Sequence, residues 1–298
     1  MKILNAYGLP ESLVQAVRAD DYDRGASDFT VTELVSPPQV VQLRRRHHAE
    51  IEVDVADRLW LLLGKVAHGI LQRADMRNAL TEERLYATIE GQRVSGQFDR
   101  VVMTPEDVLQ DYKITSVWAL KDGPRADWCC QLNLYAELLR RHSFEPKRLE
   151  IVPLYRDHRR GEALKNHTWY PEKPMGRPIP VPLWPTEQAV AYLHARVQLH
   201  SAAARVTETL LPECSAAERW KTETVYAVYK GTNKNATKLC PTLAAAEEFV
   251  HTLPPRTEIR IMERPGRSIR CADYCEVAPW CGQWLAEQAA APPLPAAE

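Results

Sequence analysis

The sequence is poor in the features that mark several classes of protein. Nothing in it approaches the roughly 20 consecutive apolar residues of a membrane-spanning helix, and the apolar run WLLL at 60–63 is far short of that. The first residues carry one early lysine and soon meet proline and acidic side chains, so the apolar core of a secretory signal is missing. An excess of positive charge is missing too, with 38 basic against 39 acidic residues and a formal charge of -1. A protein that coats nucleic acid without specificity would be more basic. Any contact with phosphate has to come from local patches, for which LRRRHH at 43–48, the arginines at 140–141 and RDHRR at 156–160 are candidates, each also readable as a solvated face. No Ser-His-Asp or Cys-His arrangement, internal repeat or cysteine before Cys129 is present. These gaps leave an intracellular, cytoplasmic protein as the expectation, with no membrane association and no disulfide framework.

What is present is an ordinary globular balance, 45% hydrophobic and 26% charged residues, enough to bury one substantial core. Ser36 followed by two prolines signals a helix start, and apolar positions recurring at three and four residues predict a long helix over 54–74. From 83 the period changes to two. RLYATIEG, RVSGQFDRVVMT and EDVLQDYKIT read as three strands, ADWCCQLNLYAELLRRH as a helix and LEIVPLYRD as another strand. The prolines of 169–185 exclude regular helix or a central strand there. A long helix over 186–210, a strand at TVYAVYKG, a helix near 242–251 and a strand at EIRIMER follow. This order predicts an α/β fold, a mixed sheet flanked by helices.

Asp111 and Lys113 are two apart on one predicted strand, so they share a face, and Asp99 ends the preceding strand. Two carboxylates on adjoining strands suit Mg²⁺ or Mn²⁺, which prefer carboxylate oxygen. The neighbouring ammonium can offset negative charge that develops on a phosphate. D-x-K also arises by chance as a surface ion pair. Gln131 and Tyr135 are four apart on one helix face, where the amide and phenol can reach a phosphate or a carboxylate, or where the ring can simply pack in the core. His68, between apolar neighbours, is either a satisfied core histidine or a further metal ligand.

Together, GKVAH at 64–68, GQFD at 96–99, DYK at 111–113 and QLNLY at 131–135 resemble, in that order, the motifs of the PD-(D/E)XK nuclease superfamily, most closely its RecB-type branch and phage or prophage exonucleases. The likeness covers about 31–156 and implies a restriction-endonuclease-like fold. It also implies His68, Asp99, Asp111 and the backbone carbonyl of Ile114 as ligands of Mg²⁺ or Mn²⁺, Lys113 as the catalytic lysine, and Gln131 with Tyr135 beside the substrate. Asp111 stands where many relatives carry glutamate. The implied activity is metal-dependent hydrolysis of DNA by an exonuclease acting on single strands or free ends in phage-type recombination or repair, with a recombination protein as a candidate partner and the host cytoplasm as the location of a phage-encoded form. An inactive DNA-binding recombination accessory is the alternative, and a zinc-stabilised interaction module a third reading. Trp118 and Trp128 could stack on unpaired bases or close the helix over the sheet.

Cys271, Cys275 and Cys281 form a trio with three and five intervening residues, and Cys214 or Cys240 could complete a set of four, with Cys214 favoured. The RecB-type relatives hold a [4Fe-4S] cluster on four cysteines, three of them near the C-terminus, but their first ligand precedes the nuclease motifs. This chain departs there. An iron-sulfur cluster, zinc and plain reduced thiols all remain open for the set. The expected organisation is a lead over 1–30, a nuclease core over 31–160, a mainly helical C-terminal extension over 161–285 that holds the cysteine cluster, and a disordered tail over 286–298.

Overall fold

The computed structural model describes residues 1–19, 24–74, 77–165, 168–254 and 258–290. It falls into two compact units, Met1–Leu211 and Pro212–Glu298. In chain order the first unit contains β1 (Lys2–Leu4), α1 (Glu11–Arg18), β2 (Phe29–Thr30), α2 (Val31–Val35), α3 (Pro38–Arg46), β3 (Glu52–Asp54), α4 (Leu59–Gln72), β4 (Ala79–Thr81), β5 (Arg84–Ile89), β6 (Gln92–Gln97), β7 (Arg100–Val102), β8 (Val108–Thr115), α5 (Ala126–Arg141), β9 (Arg148–Tyr155), α6 (Arg160–Ala163), β10 (Ile179–Val181) and α7 (Thr186–Ala204). A five-stranded sheet runs β10-β9-β8-β7-β4, and a three-stranded sheet runs β2-β6-β5. β8 and β9 pair in parallel, joined through α5, while β7 pairs antiparallel with β8. This is a mixed sheet flanked by helices, the restriction-endonuclease-like arrangement that the sequence predicts.

The stretch RVSGQFDRVVMT is one strand by periodicity, and the structure divides it. β6 belongs to the three-stranded sheet and β7 to the five-stranded one, with Phe98 and Asp99 at the corner between them. Phe98 is buried and anchors the corner in the core beside Leu132, Tyr135 and Leu138 of α5. Gly96 permits the close approach of α5, because a Cβ there would sit 2.8 Å from Leu138 Cδ1 and 2.9 Å from the Tyr135 ring. No ordinary side chain fits at that distance.

Other boundaries also move. The capping at 30–38 belongs to Thr30 and Glu33, which make a reciprocal capping box on α2, while Ser36 donates back to the Thr32 carbonyl and α3 starts at Pro38 without a side-chain cap. The helix predicted over 54–74 begins with a 3-10 turn, Val55–Arg58, and buries none of the side chains of α4. Leu59, Trp60, Leu61, Leu63, Val66 and Ile70 remain exposed on it. Its apolar periodicity therefore does not mark a core face. The proline-rich connection contributes β10 to the edge of the sheet, where Pro180 lies opposite Glu150. Buried Asn133 pins it down: its amide donates to the Cys129 and Pro182 carbonyls, and its Oδ1 accepts from Trp184 N at 2.8 Å.

In the second unit β11 (Val225–Lys230) is central to a three-stranded sheet with β12 (Lys238–Cys240) and β13 (Ile259–Arg264), joined by α8 (Leu243–His251), α9 (Ile269–Asp273) and α10 (Gly282–Ala290). Helix α10 runs into the stretch expected to be disordered, and the rest of that tail, 291–298, lies outside the described residues.

Candidate metal centre

Asp99 sits at the sheet corner, and its Oδ2 accepts a hydrogen bond of 2.6 Å from the Tyr112 backbone N–H on β8. Side chains alternate along β8. Tyr112 meets the His68 ring of α4 edge-on, at 6.4 Å between centroids and 88°. Asp111 and Lys113 take the opposite face, where α5 supplies Gln131 and Tyr135. Helix α4 is tied to the sheet by Arg100, which donates to the Leu71 carbonyl near the end of α4.

Two side-chain groups result. In the first, His68 Nδ1 lies 3.4 Å from Glu82 Oε1 and 3.4 Å from Asp99 Oδ1. The ligand atoms of His68, Glu82 and Asp99 all fall within 4.8 Å of one another, the one such group of three among the described residues. In the second, Lys113 Nζ lies 3.0 Å from Asp111 Oδ1, 2.8 Å from its Oδ2 and 3.0 Å from Gln131 Oε1. The Gln131 amide then donates to the Tyr135 hydroxyl at 2.9 Å and to Thr32 Oγ1 at 3.3 Å.

Glu82 has no part in the sequence reading. It sits between β4 and β5 with φ at +53°, a backbone conformation that non-glycine residues seldom adopt outside turns and functional sites. Gln97 holds it there by donating to both its carbonyl and its carboxylate at 3.1 Å, and Arg84 in turn donates to Gln97 at 2.8 Å. The one sequence signal for Glu82 is its place in the polar stretch TEE between two strands, which any turn would share. Thr32, at the end of the Lys113 chain of contacts, was equally invisible, because its role depends on α2 packing beside α5.

Burial, with the Asp111 charge next, pushes the Asp99 carboxyl up to about 7. The Glu82 hydrogen bond and the Asp99 and Asp111 charges hold the His68 imidazole above its usual range, against burial. Burial works against the Lys113 charge as well, but Asp111 outweighs it and keeps the ammonium protonated. Asp111 Oδ2 is buried and accepts no hydrogen bond of proper geometry, although the ammonium is close. Crowded, buried carboxylates with an unsatisfied oxygen are costly unless a cation joins them. An oxygen-rich set with one imidazole suits a hard divalent ion such as Mg²⁺ or Mn²⁺, so the residues present fit such an ion.

The remaining predicted residues are dispersed around this centre. Ile114 follows Lys113 on β8 opposite Leu154 of β9. Trp128 packs against the core on α5, with the Lys113 ammonium 5.9 Å and the Arg125 guanidinium 5.4 Å from its ring. Trp118, in a 3-10 turn after β8, is 62% exposed. Two of the three basic stretches hold the fold together. Arg45 serves Asp28 and Glu33, Arg46 the Ala203 and Val206 carbonyls, and Arg140 and Arg141 pair with Glu137. In the second unit Cys214, Cys271, Cys275 and Cys281 are not joined in disulfides. Burial first, and the other three thiols among the later causes, push the Cys214 thiol up to about 12. Gln283 brackets its backbone by accepting from its N–H and donating to its carbonyl, each at 2.9 Å.

The sequence matches the profile of the PD-(D/E)XK nuclease superfamily over residues 23–282, and the chain belongs to that superfamily. Membership implies a metal-dependent nuclease with DNA as substrate and Mg²⁺ or Mn²⁺ as cofactor. A solved structure described as "Crystal structure of SSO0001" aligns with a TM-score of 0.42 and 14% identity, over 63% of this chain and 83% of that one. No curated protein matches the sequence. No helix among the described residues is long and apolar enough to cross a membrane.

Proposed function

We propose that the chain is a DNA exonuclease that acts on single strands or free ends, with Asp99, Asp111 and Lys113 at its catalytic centre. The observation that carries this reading is the junction of the two groups, where Lys113 bridges Asp111 and Gln131 while Asp99 faces His68 and Glu82. His68, Asp99 and Asp111 would hold the divalent ion, with the Ile114 carbonyl as a further donor and Glu82 as an additional carboxylate. When bound, the ion supplies Lewis-acid polarisation of the phosphate and favours hydroxide over water. Water oxygen attacks phosphorus and releases a proton to solvent, the bond from phosphorus to the leaving sugar oxygen breaks, and that oxygen takes up a proton from solvent. Lys113 stays an ammonium beside Asp111, so its part is to face the charge that grows on the non-bridging oxygens. Gln131 fixes the ammonium, and Tyr135, whose pKa burial raises, stays neutral and orients the Gln131 amide. The setting is phage-type recombination or repair, in which a recombination protein would deliver the DNA end.

The four cysteines of the second unit are proposed as ligands of a [4Fe-4S] cluster. Zinc on the same thiols is the alternative occupant, and what supports a thiolate site of either kind is that Cys281, Cys271 and Cys275 are close enough to push the Cys214 thiol further up. Iron and sulfide content after anaerobic purification tests this, and stoichiometric zinc without iron would contradict it.

Cleavage of end-labelled single-stranded and duplex DNA with Mg²⁺, Mn²⁺ or EDTA, beside Lys113→Ala, tests the activity. Shortening from one end, dependent on metal and absent in the variant, is the expected result. Binding of DNA without cleavage by the metal-loaded wild type would point instead to the inactive accessory.

A further inference from the structure

Beyond the metal centre, the C-terminal ends of β8 and β9 carry a group of exposed and half-buried rings with exposed cations that the proposed hydrolysis does not use. Trp118 and Trp169 lie 4.7 Å apart at 44° between ring planes, and Tyr170 adjoins Trp169 at 5.4 Å. The Lys121 ammonium stands 5.4 Å from the Trp169 ring and 5.9 Å from that of Trp118. On the neighbouring strand end, the Arg156 guanidinium covers the half-exposed Trp60 ring at 4.5 Å.

Hydrogen bonds fix this group to the sheet. Arg156 N–H donates to the Thr115 carbonyl at 2.9 Å, which joins the two strand ends. Asp157 accepts from Ser116 Oγ at 2.6 Å and from Val117 N at 2.9 Å, so the turn that bears Trp118 is clamped. The Tyr170 hydroxyl accepts from Arg159 N at 2.8 Å. Asp157, the acidic residue of RDHRR, is thereby occupied, and the stretch presents Arg156, Arg159 and Arg160 outward. Of the three basic stretches, it is the one not spent on tying helices together.

We infer that the Trp118–Trp169 pair with Lys121 is a stacking platform for unpaired bases, and that Arg156, Arg159 and Arg160 meet the phosphates of the same strand, so that the substrate enters as single-stranded DNA. The inference rests on the nuclease reading for its choice of DNA. Flat apolar faces interleaved with cations select a polyanion that carries flat groups, and bases inside a duplex have no free face to offer. A cationic ligand is disfavoured because the Lys121 ammonium beside the rings would repel it. Trp118 lies five residues beyond Lys113 in the chain, so the platform and the lysine are carried by β8 and the turn that follows it.

The test is binding of a labelled oligothymidylate of about a dozen nucleotides, and of a blunt duplex of the same length, to the full chain in EDTA, followed by cleavage assays on the same preparations with Mg²⁺. Trp118→Ala and Trp169→Ala are each expected to weaken binding of the single strand about tenfold, with Trp118→Phe retaining most of it and the duplex responding little. Lys121→Ala is expected to lower the salt dependence by about one counterion. Unchanged single-strand affinity in both tryptophan variants, with a wild type that cuts DNA, would overturn the platform and leave the nuclease reading standing. Loss of single-strand binding in those variants, with a metal-loaded wild type that cuts nothing, would support the platform and overturn the nuclease. Equal competition by an oligouridylate would overturn the assignment to DNA.

Discussion

The two units of this chain solve opposite problems. In the first, the groups around Asp99 and Asp111 are held by the protein's own hydrogen bonds before any ion arrives: Gln97 and Arg84 hold Glu82, Asp111 and Gln131 hold Lys113, and the Tyr112 backbone N–H holds Asp99. Behind them stands a large core contributed by both sheets, α2, α5 and α7. In the second, the cluster seen among the described residues centres on Val228, Cys240 and Ala246, and Cys214, Cys271 and Cys281 are buried as well. A small apolar interior gains proportionately more from a bound metal group. Preorganisation serves chemistry in one unit, and thiol ligation would serve stability in the other.

That contrast can be broken from either side. Lys113→Ala is expected to lower turnover about 10²- to 10³-fold in the folded, metal-loaded protein, and turnover at the wild-type rate would show that its contacts are structural only. Cys271→Ser should leave the core of the first unit intact and expose the second to proteolysis, as mapped by the fragments of a limited digest. An unaltered digest would remove the cysteines from the account of stability. Glu82→Gln is expected to weaken Mn²⁺ binding about tenfold, read by calorimetry. Wild-type affinity would reduce Glu82 to a partner of His68. Gly96→Ala should cost about 1–3 kcal/mol through overpacking against Leu138 and Tyr135, measured by denaturant unfolding.

The smallest effect concerns pH. Because the folded Asp99 carboxyl is raised to about 7 from its ordinary value of 3.8, the unfolded chain loses this proton first. The contribution of Asp99 to the stability of the metal-free protein is therefore present below about pH 4 and is lost as pH rises toward 7. A divalent ion should reverse the trend, so the melting-temperature gain on adding Mg²⁺ should be greater at pH 8 than at pH 5. An equal gain at both would contradict the shift.

The parts of this arrangement that were legible in the sequence are those governed by a local period. Asp111 and Lys113 share a face because strands alternate, and Gln131 and Tyr135 share one because a helix turns every 3.6 residues. The order of elements from α4 to β9 follows from the same periods, apart from the short edge strand β4, which no period marked, and the division of β6 from β7. What the sequence hid depends on contacts between distant segments. Glu82 reaches His68 because Gln97, on an adjacent strand, holds it in a left-handed conformation, and Thr32 meets Gln131 across 99 positions. The split at Phe98 and Asp99 was hidden because alternation continues through a corner that tertiary packing creates. Helix α4 misled in the other direction: its apolar spacing is real, but Leu59, Trp60, Val66 and Ile70 face outward.

The most direct test of the central claim is a Mn²⁺ titration followed by electron paramagnetic resonance, run with DNA cleavage on the same preparation, for the wild type and Asp99→Asn. The account predicts that the wild type binds Mn²⁺ and cuts DNA, while the variant, folded and with its thiols intact, does neither. Cleavage by Asp99→Asn at the wild-type rate would contradict it.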